Sequence, residues 1–406
     1  MNRMKLGEIL SVKHGWAFKG EYFAEDGEQS ILTPGNFFEK GGFKPNNGKE
    51  RYYTGTYPKE YLCHKGDLIV AMTQQAEGLL GSTALVPENN KYLHNQRIGL
   101  ITCDEKRLNK LFAYYLFMTK SVREQLERSS SGTKVKHTSP EKIYDVEVEI
   151  PDVISQQKIA NLLWSIDEKI ANNNAINDNL EQQAKLLYNY WFIQFNFPDE
   201  NGNPYHSSGG QLVWNKNLQQ EIPQDWRSGN LYDIADYING IACQKYRPSD
   251  EEHSLPVVKI REMNGGITND TERVSSTIPA KNIISSGDIL FSWSASLEVI
   301  MWYGVDAGLN QHIFKVVPKS YFSSEYVYLQ LSEYLIHFIK IAEARKTTMG
   351  HITSEHLQDS HIILPPANII KNFSEYVRPI YQMKKQIANE TSELIKLRDW
   401  LIPMLM

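Results

Sequence analysis

Two short polar stretches hold most of the side chains in this sequence that could do chemistry on a phosphate-rich partner. One is Ser129-Ser130-Ser131-Gly132-Thr133-Lys134-Val135-Lys136-His137; the other is Arg345-Lys346-Thr347-Thr348-Met349-Gly350-His351. Hydroxyls, exposed amides beside glycine and Lys or Arg cations can all meet phosphate oxygens, so Lys134, Lys136, His137, Lys346, Thr347, Thr348 and His351 are candidate contacts. A solvated loop explains one such stretch at least as well. Two at corresponding points of a repeated chain favour function. Asn36 with Arg261, and Arg97 with His312, are the pairs most able to read base edges, because Arg suits guanine and Asn suits adenine in the major groove. For the neighbouring Asn95 and Asn310, satisfying backbone groups in a turn is the simpler role.

Catalytic signatures are missing from the sequence. No GxxxxGK[ST], GxSxG or HExxH occurs. Leu364-Pro365-Pro366-Ala367 is not the Asp/Asn-Pro-Pro-aromatic motif of adenine methyltransferases, and Asp104-Glu105-Lys106 is an ordinary charged surface triplet. The 11 histidines lack metal-ligand spacing, and the 3 cysteines, Cys63, Cys103 and Cys243, form no CxxC pair. The expectation is a chain with no catalytic centre, metal or cofactor of its own. Its 406 residues, 41% hydrophobic and 22% charged, allow two or three domains with cores. The net charge of −5 is spread so that neither half is strongly basic. A DNA-binding surface must then be a local patch, which counts against a nonspecific electrostatic binder. The N-terminus has no apolar signal segment and no run approaches the roughly 18 apolar residues of a membrane helix, so a cytoplasmic setting without membrane contact is expected.

The elements that must position these residues come twice. Leu6-Gly7-Glu8-Ile9 recurs as Leu231-Tyr232-Asp233-Ile234, Leu32 to Phe37 falls on Val257 to Glu262, and Gly66-Asp67-Leu68-Ile69-Val70-Ala71-Met72-Thr73 recurs as Gly287-Asp288-Ile289-Leu290-Phe291-Ser292-Trp293-Ser294. Asn95-Gln96-Arg97-Ile98 recurs as Asn310-Gln311-His312-Ile313, and His137 to Pro151 aligns without a gap on His351 to Pro365. Five weak matches in one order indicate duplication. Each half reads as mixed α/β. A Gly-Asp turn enters a buried strand, helical stretches cover Leu108 to Glu127 and Ser324 to Ala344, and Val146–Ile150 and Ser360–Leu364 read as closing strands that end at proline.

A long helix follows each half. Asp152 is a plausible N-cap for the first, whose heptad seam is Ile159, Ile166, Asn173, Leu180 and Leu187 against Leu163, Ile170, Asn177, Ala184 and Trp191. The second keeps the seven-residue step through Phe373, Ile380, Ile387, Leu394 and Leu401, with Val377 and the more polar Lys384, Thr391 and Arg398 between them. The two helices should pack antiparallel, with Asn173 and Asn177 fixing register. The division expected is residues 1–151 and 229–365 as two similar globular domains, 152–191 and 366–406 as the helices, and 192–228 as a turn-rich linker. Taken together this is an α/β chain in which two like domains are separated by two long antiparallel coiled-coil-like helices, an internal pseudo-twofold repeat.

Over nearly its whole length the chain resembles the specificity subunits of type I restriction-modification systems. The resemblance is carried by Asn189-Tyr190-Trp191-Phe192-Ile193-Gln194-Phe195, by Ile238-Asn239-Gly240-Ile241-Ala242-Cys243-Gln244-Lys245-Tyr246-Arg247-Pro248, and by Gly287 to Ser294. Gly308-Leu309-Asn310-Gln311-His312, Thr347 to Ile352 and the final Leu397 to Met406 add to it. It implies two target recognition domains reading a bipartite, asymmetric double-stranded DNA site, with Lys245 and Arg247 joining the candidate contacts. It also implies helices that set the gap, about 36 residues at roughly 1.5 Å each, or ~54 Å. Two modification subunits carrying S-adenosylmethionine would dock on the helices and methylate adenine. Restriction subunits using ATP and Mg would join them. Two other readings stay open from the residues alone: a protein scaffold dimerising through its helices, and a self-contained nuclease with an unrecognised centre.

Overall fold

The computed structural model describes residues 2–406 apart from Asn47, Gln75, Glu77, Thr133, Lys134, Asp250–Glu252, Asn269 and Arg345–Gly350. The chain divides into two units, one of Met1–Ile170 with Glu393–Met406, the other of Ala171–Ser392.

The duplication is visible in the sheets of each unit. In the first, strands Leu10–His14, Ile98–Cys103, Leu68–Ala71 and Thr83–Leu85 lie side by side in that order, all antiparallel. In the second, Ala235–Asn239, Ile313–Pro318, Ile289–Ser292 and Glu298–Met301 repeat the order and the pairing. A further four-stranded sheet in each unit contains one parallel pair, Ser30–Ile31 with Tyr92–Leu93 and Ser254–Val258 with Ala307–Leu309. The closing strands Glu147–Ile150 and Ile362–Leu364 each pair antiparallel with the strand that opens their repeat, Asn2–Lys5 and Arg227–Gly229.

The continuous apolar runs after each Gly-Asp step have a physical cause. Leu68 and Val70 face one core cluster while Ile69 and Ala71 face another. Ile289 and Phe291 divide from Leu290 in the same way. A strand covered on both faces has no solvent side, so the period-2 alternation disappears. The turn before it is also shared. Gly66 and Gly287 take φ of +83° and +109°, and Asp67 and Asp288 accept from the His64 and Ser285 amides at 2.8 and 2.7 Å. Gly15 and Gly240 recur for a different reason: a Cβ on either would lie 2.1 Å from the carbonyl oxygen of Asn95 or Asn310.

Local capping changes two expectations. The stretch from Leu108 to Glu127 is two helices, Lys110–Leu116 and Lys120–Ser129, because Asn109 and Thr119 each cap a new start. Ser324–Ala344 is one helix. Residues 192–228, expected as linker, are ordered within the second unit. A π-helical turn Asn189–Ile193 leads to Phe195 and Phe197, Phe197 stacks on Trp226 at 5.0 Å, and Leu212–Asn215 pairs with Gln220–Pro223.

The long helices run Val153–Tyr188 and Ala367–Leu405. Asp152 does cap the first, accepting from the Ser155 amide at 3.0 Å. The expected seams are the covered faces. Leu163, Ile166, Asn173, Phe373 and Val377 are buried; Ile159, Ile170, Asn177, Leu180, Leu187, Ile380, Ile387 and Leu394 are half-buried. In the second unit Asn173 donates to Glu390 at 2.8 Å and Thr391 at 3.2 Å, while Lys384 pairs with Glu181. The partner number falls as the first rises, so the helices are antiparallel. Asn177 departs from its expected role: its side-chain oxygen is buried without a hydrogen-bond partner among the described residues. In the first unit Arg398 pairs with Asp167 at 2.9 Å, Tyr115 donates to the same carboxylate at 2.6 Å, and Leu401, Ile402 and Met406 pack on the unit's core. No helix among the described residues is long and apolar enough to cross a membrane.

Candidate nucleic-acid interface

In the first unit three separate segments converge at the end of strand Leu68–Ala71. The Met72 amide donates to the Arg97 carbonyl at 3.0 Å, and the Thr138 amide donates to the Met72 carbonyl at 2.9 Å. These bonds bring the Asn95–Ile98 turn and the Lys136–Thr138 segment to the same place. Arg97 is exposed, with no side-chain partner among the described residues. The turn that carries it is built by Asn95, whose side-chain oxygen accepts from the Arg97 amide at 3.0 Å. His137 is exposed and its Nδ1 lies 3.1 Å from the Thr73 hydroxyl, which orients the ring. Lys136 is ion-paired with Glu127, so part of its charge is already met.

The second unit repeats that backbone with other side chains. The Trp293 amide donates to the His312 carbonyl at 3.3 Å, and the Ile352 amide donates to the Trp293 carbonyl at 3.0 Å. Asn310 accepts from the His312 amide at 3.4 Å, as Asn95 does in its own turn. His312 and His351 lie with ring centroids 5.6 and 5.7 Å from the Trp293 indole. The structure therefore brings Arg97, Lys136 and His137 together in one unit, and His312 and His351 together in the other.

Asn36 requires correction, and with it the pairing of Asn36 with Arg261. Asn36 is buried, 3% exposed, and its oxygen accepts from the Thr33 amide at 2.8 Å while its nitrogen donates to the Lys44 carbonyl at 3.3 Å. It closes a turn and presents nothing to a base. Its structural counterpart is Glu262, one residue beyond Arg261: Glu262 is equally buried and accepts from the Lys259 amide three residues back at 3.2 Å. The ungapped sequence match was thus out by one position. Arg261 itself is exposed and held on the Glu262 carboxylate at 2.7 Å, which raises its pKa. Lys245, on the turn Cys243–Lys245, and Arg247 are exposed with no side-chain partner among the described residues. Lys134, Lys346, Thr347 and Thr348 lie outside the described residues.

Thr73 and Trp293 were not singled out by sequence reasoning. The available signal was that both sit at the end of the aligned Gly-Asp strand motif, where a repeated buried run stops. Among the described residues no cluster of His, Cys, Asp or Glu could hold a metal ion.

The comparisons with known proteins meet this geometry. The type I restriction modification DNA specificity domain matches residues 1–182 and 223–397, once per repeat. The chain is 26% identical over 72% of its length, and 67% of the relative's, to the type I restriction enzyme MjaIX specificity subunit of Methanocaldococcus jannaschii. It is 22% identical to the HindI specificity subunit of Haemophilus influenzae, covering 73% of this chain and 76% of that one. Against the EcoBI specificity subunit of Escherichia coli it is 22% identical over 95% of its own length and 81% of the relative's. The fold is similar to that of the type I restriction-modification S subunit from M. genitalium, with a TM-score of 0.57 at 15% identity, covering 100% of this chain and 96% of that one. Two repeats of one topology, each matched by that domain over the same elements that assemble its polar cluster, place this chain in the type I restriction-modification specificity subunit family.

Proposed function

We propose that each unit reads one half of a bipartite DNA site, and that the chain directs partner subunits to it without doing chemistry itself. The observation that supports this most is the pair of clusters built on one repeated set of backbone hydrogen bonds and a shared histidine, His137 or His351, but differing beside it, with Arg97 and Met72 in one unit and His312 and Trp293 in the other. A common scaffold with different contacts reads two different short sequences, so the site is asymmetric. Arg97 approaches guanine; Lys245, Arg247, Arg261 and the two polar stretches, Lys134, Lys346, Thr347 and Thr348 included, meet phosphates. Two modification subunits holding S-adenosylmethionine methylate adenine, restriction subunits use ATP and Mg, and the assembly works in the cytoplasm where the chromosome lies. The long helices are the docking elements and their length sets the gap between half-sites.

The test is methylome sequencing of a strain carrying Arg97→Ala beside one carrying the unaltered chain. The expected result is relaxation of one position in one half-site, from a loss of about 1–3 kcal/mol of discrimination, with the other half-site unchanged. A modified sequence identical in both strains removes Arg97 from the reading surface. Methylation or cutting by the purified chain alone overturns the non-catalytic role.

A further inference from the structure

The position after the buried strand is treated oppositely in the two units. Met72 is 2% exposed and fills the core, whereas Trp293, fixed by the same two backbone hydrogen bonds, is half-buried, packed against the unit's core with part of its ring left at the surface. Its indole Nε1 donates to the Asn239 side-chain oxygen at 3.2 Å, which fixes the ring and uses its only donor. His312, His351 and Phe314 surround it, with Phe314 at 5.9 Å between centroids. The hairpin tip that begins at Trp293 contains Ala295 at φ +62°, a left-handed conformation that costs a residue with a Cβ. An outlier of this kind, next to an aromatic held half out of the core, points to a functional constraint. His312 Nδ1 is also buried without a partner among the described residues, so the polar groups around the indole are not fully satisfied within the unit.

We infer that Trp293 is a specificity-determining residue of the second unit, contacting the C5-methyl group of a thymine in the major groove. The inference rests on the DNA-reading role proposed above. With Nε1 occupied, the indole offers only carbon surface. The one carbon feature that distinguishes base pairs in the major groove is the thymine methyl. The exposed imidazole of His351 flanks that contact, where the O4 of the same thymine or the N7 of its paired adenine accepts a hydrogen bond, while His312 backs the indole from the protein side. The first unit has no counterpart, because Met72 is buried.

The test uses the assembled methyltransferase complex. Exchange of residues 192–365, which keeps Phe195, Phe197, Ile222, Trp226 and the strand Arg227–Gly229 with their partners, identifies which half of the modified site the second unit reads. Duplexes are then made with deoxyuridine replacing each thymine of that half-site in turn, which removes a single methyl group. At one thymine, the unaltered complex should lose roughly tenfold in affinity, the size of one methyl contact. Trp293→Ala should bind thymine and uracil duplexes alike, and Trp293→Phe, which keeps a carbon surface, should retain part of the preference. An unaltered complex indifferent to uracil at every thymine, a half-site without thymine, or an equal uracil penalty in Trp293→Ala overturns the inference. If no two-part modified site appears with any variant, it is the DNA-reading role itself that fails. Should Trp293→Ala not assemble, Trp293→Phe and Trp293→Leu carry the same comparison with smaller changes in volume.

Discussion

His94 lies directly beneath the turn that carries Arg97 and shows how much the candidate surface depends on a buried group. It is 0% exposed, and its Nε2 donates to the Ile98 carbonyl at 2.8 Å. Burial pushes its pKa from 6.5 down to about 4. Below pH 6.5 the unfolded chain binds a proton there that the folded chain refuses, so stability is full above that pH and falls as the pH drops towards about 4. At pH 5 the loss at this site should be about 2 kcal/mol. Urea unfolding of the unaltered chain and His94→Leu at pH 7.5 and 5 should show that difference shrinking by this amount in the variant; an equal pH dependence in both would place the titration elsewhere. Residues of this kind are only partly legible in a sequence. Arg97 and His312 stand out because an Asn two positions earlier marks a turn in both repeats. Asn36 misled because its side chain satisfies a local amide, and nothing in the residue type separates that from base reading. Trp293 ends the repeated Gly-Asp strand motif, but its surroundings come from a turn and a loop distant in the chain, which no local pattern supplies.

At the scale of elements, the helix seams were legible through their seven-residue period, while the partners of their polar members were not. Lys384, Thr391 and Arg398 look like defects in a heptad until Glu181, Asn173 and Asp167 are found facing them. Each pairing joins residues more than 200 positions apart, which periodicity cannot supply. Lys384 and Glu181 are well covered, with side chains 13% and 16% exposed. Removing Lys384 leaves the covered Glu181 carboxylate to the Tyr328 hydroxyl at 3.0 Å and the more exposed Lys185 at 3.6 Å, short of its best-covered cation. Lys384→Met should therefore cost about 3 kcal/mol, and Glu181→Leu with Lys384→Met should recover most of it. Denaturant unfolding of the two single variants and the double variant checks this; a double variant as unstable as the sum of the singles would show that the pair has no coupling. Breaks within helical stretches were harder to see. Asn109 and Thr119 are ordinary cap residues, and only the second was placed where it ends one helix and starts another.

For the molecule as a whole, the duplication was readable because framework residues repeat in order, and the repeated sheet orders follow from it. The allotment of chain to units was less readable. Turn formers made 192–228 look like linker, yet Phe195, Phe197, Ile222 and Trp226 are core residues of the second unit. The segment Glu393–Met406 belongs with Met1–Ile170. Deleting it should uncover the apolar face now met by Leu401, Ile402 and Met406 and leave Asp167 without Arg398, a loss on the order of 3 kcal/mol. Hydrogen exchange of the shortened chain should show weakened protection in the strands Leu10–His14 and Ile98–Cys103, with Ile313–Pro318 in the second unit unchanged; equal protection everywhere would mean that the segment contributes nothing to the first unit.

That allotment has a consequence for how the protein is made. The second unit uses one unbroken stretch of chain, whereas the first waits for residues that leave the ribosome more than 200 positions after its own Ile170. At ordinary translation speeds the interval is on the order of ten to forty seconds. The part synthesised first is thus the part finished last, and during that interval its uncovered apolar face is what chaperones would meet.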